Sequence, residues 1–201
     1  MGESKQQEQS SAARPVVRLA SASPRRRQLL DLIGVPHVVT PADVDETPHA
    51  SESADAYVMR LAREKAEAIW AQHQDLPVLA ADTTVVVDQQ ILGKPESEAD
   101  AVAMLGKLSG REHLVHTGFA LRAGPSIHVG ISSTQVSFAV LTPPQIRAYW
   151  ASGEPQGKAG AYAIQGRAAG FIEHLSGSYS GVMGLPLFEM AGLLRKFDLL
   201  P

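Results

Sequence analysis

Two polar side chains lie where the hydropathy pattern expects apolar ones. The segment from Ala54 to Gln74 has the period of an amphipathic helix, and Lys65 falls in the middle of its apolar face. Asp82 lies in a strand-like run of alanine and valine, where a carboxylate is costly unless it is paired, bound to a metal or used in chemistry. Lys65 and Lys94 are both candidate cationic partners for Asp82. The structural alternative for Lys65 is a packed stem whose ammonium group reaches solvent.

The segment from Ser21 to Arg27 joins a predicted strand to a predicted helix and contains consecutive arginines. Free amides at a helix N-terminus and guanidinium groups both favour oxyanions, so this turn predicts a phosphate site. Consecutive helical residues diverge by about 100°, so the arginines cannot all reach one ligand. Arg26 is the best placed, because the apolar residues of the helix share its face. The alternative is a basic first turn that is exposed to solvent.

Loop residues are further candidates for a site. Asp45 and Glu46 follow the second predicted strand, and an acidic pair there could hold Mg²⁺ through carboxylate oxygens and water. A solvated loop explains the same pair equally well. Lys94 lies between Gly93 and Pro95, which fix the backbone and present its side chain at a strand end.

Composition and charge exclude several classes of protein. The 201 residues contain no cysteine, which excludes disulfides, thiolate nucleophiles and iron–sulfur clusters. The net charge is −3 without long runs of one sign, so neither a nucleic-acid polymer nor a membrane is an expected partner. The N-terminus lacks the apolar core of a secretion signal, and we expect a cytoplasmic protein. The motifs of P-loop ATPases, serine hydrolases and paired-histidine metal sites are absent from the sequence.

The predicted elements indicate an α/β fold with a mixed sheet flanked by helices. Residues 1–14 are polar and aperiodic and are expected to be a disordered leader, whereas residues 15–201 are expected to form a single domain. Helices alternate with strands early in the chain and hairpins dominate later, which indicates a mixed sheet. The glycine-containing segment 153–160 is expected to be a flexible binding edge. The predicted strands cover residues 16–20, 35–40, 78–87, 91–92, 113–122, 126–140, 161–164 and 170–175, and the predicted helices cover 23–33, 54–74, 97–108, 142–153 and 187–197.

Several motifs, taken together and in this order, resemble the Maf family, which is named for septum formation in bacteria. The resemblance extends from about Val17 to the last predicted helix. It rests on Leu19-Ala20-Ser21-Ala22-Ser23-Pro24-Arg25-Arg26, Leu61-Ala62-Arg63-Glu64-Lys65-Ala66, Ala80-Ala81-Asp82-Thr83, Gly93-Lys94-Pro95, Gly157-Lys158-Ala159-Gly160-Ala161-Tyr162-Ala163-Ile164-Gln165-Gly166 and Gly177-Ser178-Tyr179.

The resemblance implies an elongated mixed α/β fold similar to inosine triphosphate pyrophosphatases, with a cleft between two lobes, and commonly a homodimer. It implies cleavage of a nucleoside triphosphate substrate between the α and β phosphates, with a divalent cation, Mg²⁺ or Mn²⁺, as cofactor. The family name also connects the chain to cell-division arrest and to housecleaning of the nucleotide pool. The dTTP/UTP branch is the one that this sequence resembles, through Arg25, Thr83 and Gln165.

Roles follow from the resemblance at the matching positions. Asp82 resembles the proton acceptor that activates water, and Glu46 resembles the acidic loop residue that helps with metal and water, so both are expected metal ligands. The triphosphate is expected to be bound by Ser21, Arg26, Lys65 and Lys94. The base is expected to be selected by Arg25, Thr83 and Gln165. Lys65 and Lys94 are also expected to assist the chemistry.

Other functions stay open on the sequence alone. One is a nucleotide-binding regulator of septum formation that senses a triphosphate without cleaving it. Another is the same reaction with a different base preference, including 7-methyl-GTP or modified pyrimidine nucleotides. The acidic side chains favour hydrolysis, because a simple phosphate binder gains nothing from carboxylates near its anion.

Overall fold

A computed structural model describes residues 14–200 of the chain. Within that range it contains the strands β1 Val17–Leu19, β2 His37–Val39, β3 Val78–Val87, β4 Gln90–Leu92, β5 Glu112–Ala123, β6 Ser126–Phe138 and β7 Ile172–Ser176. The helices are α1 Pro24–Leu32, α2 Ala54–Trp70, α3 Glu98–Leu108, α4 Pro143–Ala151, α5 Tyr179–Met183 and α6 Leu187–Lys196. Short 3₁₀ helices cover Ala159–Ala161 and Arg167–Phe171.

The strands form one mixed sheet in the order β2-β1-β3-β5-β6-β7, with β4 also paired to β3. β1 is parallel to β2 and to β3, whereas the other paired strands are antiparallel. Seven of the ten side chains of β3 are apolar and nine are buried, as expected of a strand inside the sheet. The predicted mixed α/β architecture with flanking helices is therefore confirmed.

Helix α2 packs directly on β3 and β5. Its buried residues are the apolar ones that the periodicity places on one face, together with Lys65. Gly118 of β5 allows the close approach, because a Cβ atom there would lie 2.3 Å from the carbonyl oxygen of Val58 in α2. The absence of a side chain at Gly118 thus sets how closely the helix can approach the sheet.

The apolar side chains form separate clusters on the two sides of a cleft. On one side, a cluster joins β4, α3 and α4 to the segment 159–168. On the other side, one cluster packs α1 and α6 on one face of β1, β3 and β5, and another packs α2 on the opposite face. Residues of β3 alternate between these two faces, with Leu79 and Ala81 toward α1 and α6 and Val78 and Ala80 toward α2.

Some elements differ from the sequence predictions. The predicted strand at residues 161–164 is wrong: these residues are buried, but Ala161 ends a 3₁₀ helix, with φ values of 65° at Gly160 and 60° at Ala161, and the next residues are irregular. An apolar run indicates burial, and periodicity alone cannot distinguish a strand from buried irregular chain. The segment 153–160 contains hydrogen-bonded turns. Helix α5 was not predicted, and the predicted helix from residue 54 ends at Trp70 instead of Gln74.

The predicted leader, residues 1–14, lies outside the described residues except for Arg14. Among residues 14–200, no helix is both long enough and apolar enough to cross a membrane.

Candidate active site

The cleft opens at a gap along one edge of β3. On that edge β1 pairs with Val78 and Leu79, and β4 pairs with β3 only from Val85 onward. In the described part of the chain, no strand covers the edge between them. The cleft there has a volume of about 360 Å³, and it is lined by every residue that the sequence predicts for the site: Ser21, Arg25, Arg26, Glu46, Lys65, Asp82, Thr83, Lys94 and Gln165.

Alternation along β3 gives the cleft two chemically different walls. Asp82 and Thr83 are consecutive, so their side chains leave opposite faces of the sheet, and both reach the cleft because the strand edge is open there. Asp82 faces α2 and bonds to Lys65, whereas Thr83 bonds to Arg26 of α1. One strand therefore positions a carboxylate on one wall and a hydroxyl beside a guanidinium group on the other.

Lys65 holds two carboxylates together. Its Nζ atom lies 2.6 Å from Asp82 Oδ1 and 2.6 Å from Glu46 Oε1. The Lys65 side chain is only 8% exposed, so its ammonium group ends inside the site instead of reaching bulk solvent. Of the two candidate cationic partners for Asp82, the structure selects Lys65. Among the described residues, Asp82 Oδ2 has no hydrogen-bond partner, and this side chain is 12% exposed.

Glu46 is fixed by contacts to its backbone and its carboxylate. The Tyr57 hydroxyl donates to the Glu46 carbonyl oxygen at 2.8 Å, and Lys94 Nζ lies 3.5 Å from Glu46 Oε2. Burial raises the pKa of the Glu46 carboxyl, but the hydrogen bond from Lys65 and the charges of Lys65 and Lys94 lower it more, so its net pKa lies below the ordinary value. Glu46 is therefore ionised at neutral pH.

Each of the three nitrogen atoms of the Arg26 guanidinium group donates one hydrogen bond within the protein. Its Nε donates to the Gly184 carbonyl oxygen at 2.7 Å, and Nη1 donates to Ser21 Oγ at 3.1 Å. Its Nη2 donates to Thr83 Oγ1 at 3.2 Å. Burial lowers the pKa of Arg26, but an arginine in a protein stays protonated at neutral pH. Arg26 thus supplies a fixed positive charge at the N-terminal turn of α1.

The other arginines of α1 differ in position, as their angular spacing predicts. Arg25 lines the cleft and donates through Nε to the Met183 carbonyl oxygen at 3.3 Å, whereas Arg27 is exposed. Ser23 occupies the predicted N-cap position of α1, but its side chain forms no capping bond. Gln165 reaches the cleft from the opposite lobe.

Three groups of the site were not predicted as site residues. Lys158 lines the cleft, and burial together with the nearby charge of Arg25 lowers its pKa. Its position beside Gly157 and Gly160, both with positive φ, was the available signal. The carbonyl groups of Met183 and Gly184 hold the arginines, but no sequence pattern marks a backbone acceptor.

A divalent cation fits this site only as part of a complex with phosphate. Glu46 and Asp82 each contact Lys65 Nζ through one carboxylate oxygen, which leaves Glu46 Oε2 and Asp82 Oδ2 as the oxygens that a cation could take. Among residues 14–200 there is no cluster of three or more His, Cys, Asp or Glu side chains that could hold a metal by themselves. Mg²⁺ typically takes one or two carboxylates and completes its coordination with water and substrate phosphates. The donor set therefore suits a cation that enters with a polyphosphate.

Comparisons with known proteins identify the family of the chain. Residues 16–197 match the family model described as Maf-like protein. A protein of Methylobacillus flagellatus named dTTP/UTP pyrophosphatase is 54% identical over 180 residues, 89% of this chain and 90% of that protein. Proteins of the same name from Bordetella parapertussis and Alkalilimnicola ehrlichii are 52% and 50% identical, covering 90% and 92% of this chain and 92% and 95% of theirs.

A solved structure, the Ham1 protein of Staphylococcus aureus, overlaps 61% of this chain and 71% of its own at a TM-score of 0.46 and 17% identity, which is too distant to bear on the site. The family model and the curated relatives each cover most of the chain. The chain therefore belongs to the Maf family.

Proposed function

We propose that this protein is a nucleoside triphosphate pyrophosphatase that hydrolyses dTTP and UTP to the monophosphate and pyrophosphate. The observation that carries the proposal is the position of Asp82: its carboxylate is anchored by Lys65 in the same cleft as Arg26, Lys94 and Lys158. The name of the relatives, dTTP/UTP pyrophosphatase, supports the same reaction and the same substrates.

Asp82 is the proposed proton acceptor. Lys65 bonds Oδ1, and Oδ2 stays available to a water molecule in the cleft. A water held there can lose a proton to Asp82 as its oxygen attacks the α-phosphorus. The attack comes from the side opposite the oxygen that bridges the α and β phosphates, and that oxygen leaves with pyrophosphate. Glu46, fixed on the other side of Lys65 Nζ, orients the same water or the substrate complex.

Positively charged groups stabilise the departing pyrophosphate. Arg26 is already fixed by its hydrogen bonds to Ser21, Thr83 and Gly184, so it loses little freedom when phosphate binds. Lys94 is 63% exposed at the cleft entrance, which suits a flexible contact with the outer phosphates. The first turn of α1 adds backbone amides and a favourable helix dipole.

Asp82 and Glu46 are the residues that would hold a Mg²⁺ or Mn²⁺ ion. When bound, such a cation neutralises phosphate charge and polarises the phosphoryl oxygens. Base selection is assigned to Arg25, Thr83 and Gln165. They come from separate segments of the chain, and all three line the cleft.

The experiment that tests this function is hydrolysis of UTP and dTTP in H₂¹⁸O, with 7-methyl-GTP as the comparison substrate and Mg²⁺ or Mn²⁺ added. We expect UMP and dTMP with the ¹⁸O label in the monophosphate, because water attacks the α-phosphorus. A nucleoside diphosphate product, or label in pyrophosphate, would overturn the proposed position of attack. Equal rates with 7-methyl-GTP would contradict the base preference, and binding without cleavage would identify a nucleotide-binding regulator.

A further inference from the structure

A chain of hydrogen bonds runs behind the cleft from Arg26 to helix α5. Arg26 Nη2 donates to Thr83 Oγ1, which lies 2.9 Å from Thr117 Oγ1 on β5. Thr117 is fully buried, and its Oγ1 donates to the Gly181 carbonyl oxygen at 2.8 Å. Thr117 does not line the cleft; it is connected to the cleft directly through Thr83, and through Gly181 to the segment whose carbonyl groups hold Arg25 and Arg26.

The two ends of this chain determine the direction of every hydrogen bond within it. A carbonyl oxygen only accepts and a guanidinium group only donates, whereas each threonine hydroxyl has a single hydrogen. Thr117 uses its hydrogen on Gly181, so Thr83 must donate its own hydrogen to Thr117. Thr83 then accepts from Arg26 and has one acceptor position left. Toward the cleft, the Thr83 oxygen can therefore only accept.

We propose that Thr117 is a positioning residue that fixes Thr83 as a hydrogen-bond acceptor for the base and thereby favours uracil and thymine over cytosine. This inference rests on the proposed function. Phosphate oxygens have no hydrogen to donate, so an acceptor-only Thr83 does not suit them. Atom N3 of uracil and thymine carries a hydrogen, whereas N3 of cytosine is an acceptor and is repelled by a second acceptor.

Other side chains that line the cleft complement the same base edge. The carbonyl groups of uracil and thymine lie on both sides of N3 and need donors. Arg25, which lines the same cleft, only donates, and the side-chain amide of Gln165 also carries donor hydrogens. Two donors, from Arg25 and Gln165, and one acceptor, from Thr83, are the groups that the acceptor–donor–acceptor edge of uracil requires.

The test uses variants that remove or keep the Thr117 hydroxyl. Thr117→Val and Thr117→Ala release the Thr83 hydrogen, which can then turn toward the cleft, whereas Thr117→Ser keeps the bond to Gly181. The Gly181 carbonyl retains a second donor in all of them, because the backbone N–H of Gly184 also bonds to it at 2.9 Å. Thr84→Val is the matched control, since it removes a buried hydroxyl of β3 from the opposite face of the sheet.

The readout is the ratio of dissociation constants for α,β-methylene UTP and α,β-methylene CTP, measured by calorimetry. We expect the preference for the uridine analogue to fall about tenfold in Thr117→Val and Thr117→Ala and to persist in Thr117→Ser and Thr84→Val. In a Thr83→Val background, Thr117→Val should cause no further loss, because Thr117 acts through Thr83. An unchanged ratio in the folded Thr117→Val and Thr117→Ala variants, or an additive loss in the double variant, would overturn the inference.

The methylene analogues cannot be cleaved between the α and β phosphates, so binding selectivity is measured independently of catalysis. Loss of the uridine preference without any wild-type turnover of UTP would support the role of Thr117 and overturn the proposed hydrolysis. Turnover of UTP with an unchanged preference in Thr117→Val and Thr117→Ala would support hydrolysis and overturn the role of Thr117.

Discussion

Lys65 and Asp82 are charged residues at positions where the hydropathy pattern expects apolar ones. Each interrupts an apolar pattern, and the structure places their charged atoms 2.6 Å apart. A buried charge is tolerated when it is paired, so two such interruptions in one chain predict each other. The convergence of Glu46 on the same ammonium group could not be predicted, because loop residues carry no periodic signal.

Replacing Lys65 by methionine should affect the reaction far more than the fold. The change leaves Asp82 and Glu46 without their shared cation. Because Lys65 lowers the pKa of Glu46, that pKa rises in the variant and the acid limb of the pH–rate profile moves to higher pH. We expect kcat to fall by about 100-fold or more and the melting temperature to fall by only a few degrees, since Glu46 is 44% exposed and the cleft admits water.

Arg63→Met is the control for Lys65→Met, because it removes an exposed cation from the same helix. Steady-state kinetics and thermal unfolding of both variants provide the comparison. A rate for Lys65→Met that falls only in proportion to its folded fraction would show that Lys65 has a purely structural role.

At the scale of elements, the segment 177–184 positions the arginines of a helix that is more than 150 residues away in the chain. The carbonyl groups of Met183 and Gly184 accept from Arg25 and Arg26. The sequence contains the motif Gly177-Ser178-Tyr179, but neither α5 nor its contacts could be predicted. Five helical residues give too short a periodic signal, and the function of the segment depends on long-range packing.

Gly184 offers a direct test of this segment. Its φ is 117°, so Gly184→Ala should strain the backbone and shift the carbonyl group that accepts from Arg26 Nε, although the added methyl group itself would lie at an ordinary contact distance of 3.4 Å from that atom. We expect a loss of about 1–2 kcal/mol in unfolding free energy and an increase of about tenfold in KM for UTP.

The matched variant is Gly34→Ala, where φ is 69° but no heavy atom lies within 4 Å of the added methyl group. Urea unfolding should show a loss of stability in both variants, whereas only Gly184→Ala should raise KM. An equal KM in the two variants would contradict the role assigned to the 177–184 segment.

A buried histidine connects β5 to the opposite wall of the cleft. His113 Nε2 lies 2.8 Å from the hydroxyl of Tyr162, a residue that lines the cleft, and the His113 ring contacts Phe138 edge-on at 5.1 Å. Burial lowers the pKa of His113 to about 4. The folded protein therefore keeps this ring neutral at pH values where the unfolded chain protonates it.

This difference predicts the direction of a pH effect on stability. Between pH 6.5 and pH 4 the unfolded state binds the extra proton, so the unfolding free energy falls as the pH falls, by at most about 3 kcal/mol. The contribution is constant above pH 6.5 and below pH 4. Urea unfolding of wild type and His113→Gln across this range isolates the contribution of His113 to the unfolding free energy, because glutamine does not titrate. The same pH dependence of the unfolding free energy in both proteins would contradict the prediction.

Across the whole molecule, the helices and strands that position the site residues could be predicted from the sequence better than the irregular segments packed around them. The turn after β1, the apolar face of α2 and the buried strand β3 follow from local patterns, and these place Arg26, Lys65 and Asp82. The predicted strand at residues 161–164 is buried irregular chain, and its burial comes from packing against β4, α3 and α4, which the sequence does not show. The leader, the single domain, the homodimer and the link to cell division stay predictions.

The most direct test of the central claim is pyrophosphate release from UTP and dTTP by wild type and Asp82→Asn, with Mg²⁺ present. Asparagine has nearly the same shape but cannot accept the proton, so we expect kcat to fall by about 100-fold to 10,000-fold. The dissociation constant for α,β-methylene UTP should change by no more than about threefold, because the substitution keeps the shape of the side chain and leaves Arg26, Lys94 and Lys158 in the cleft. Undiminished turnover in Asp82→Asn would contradict the account.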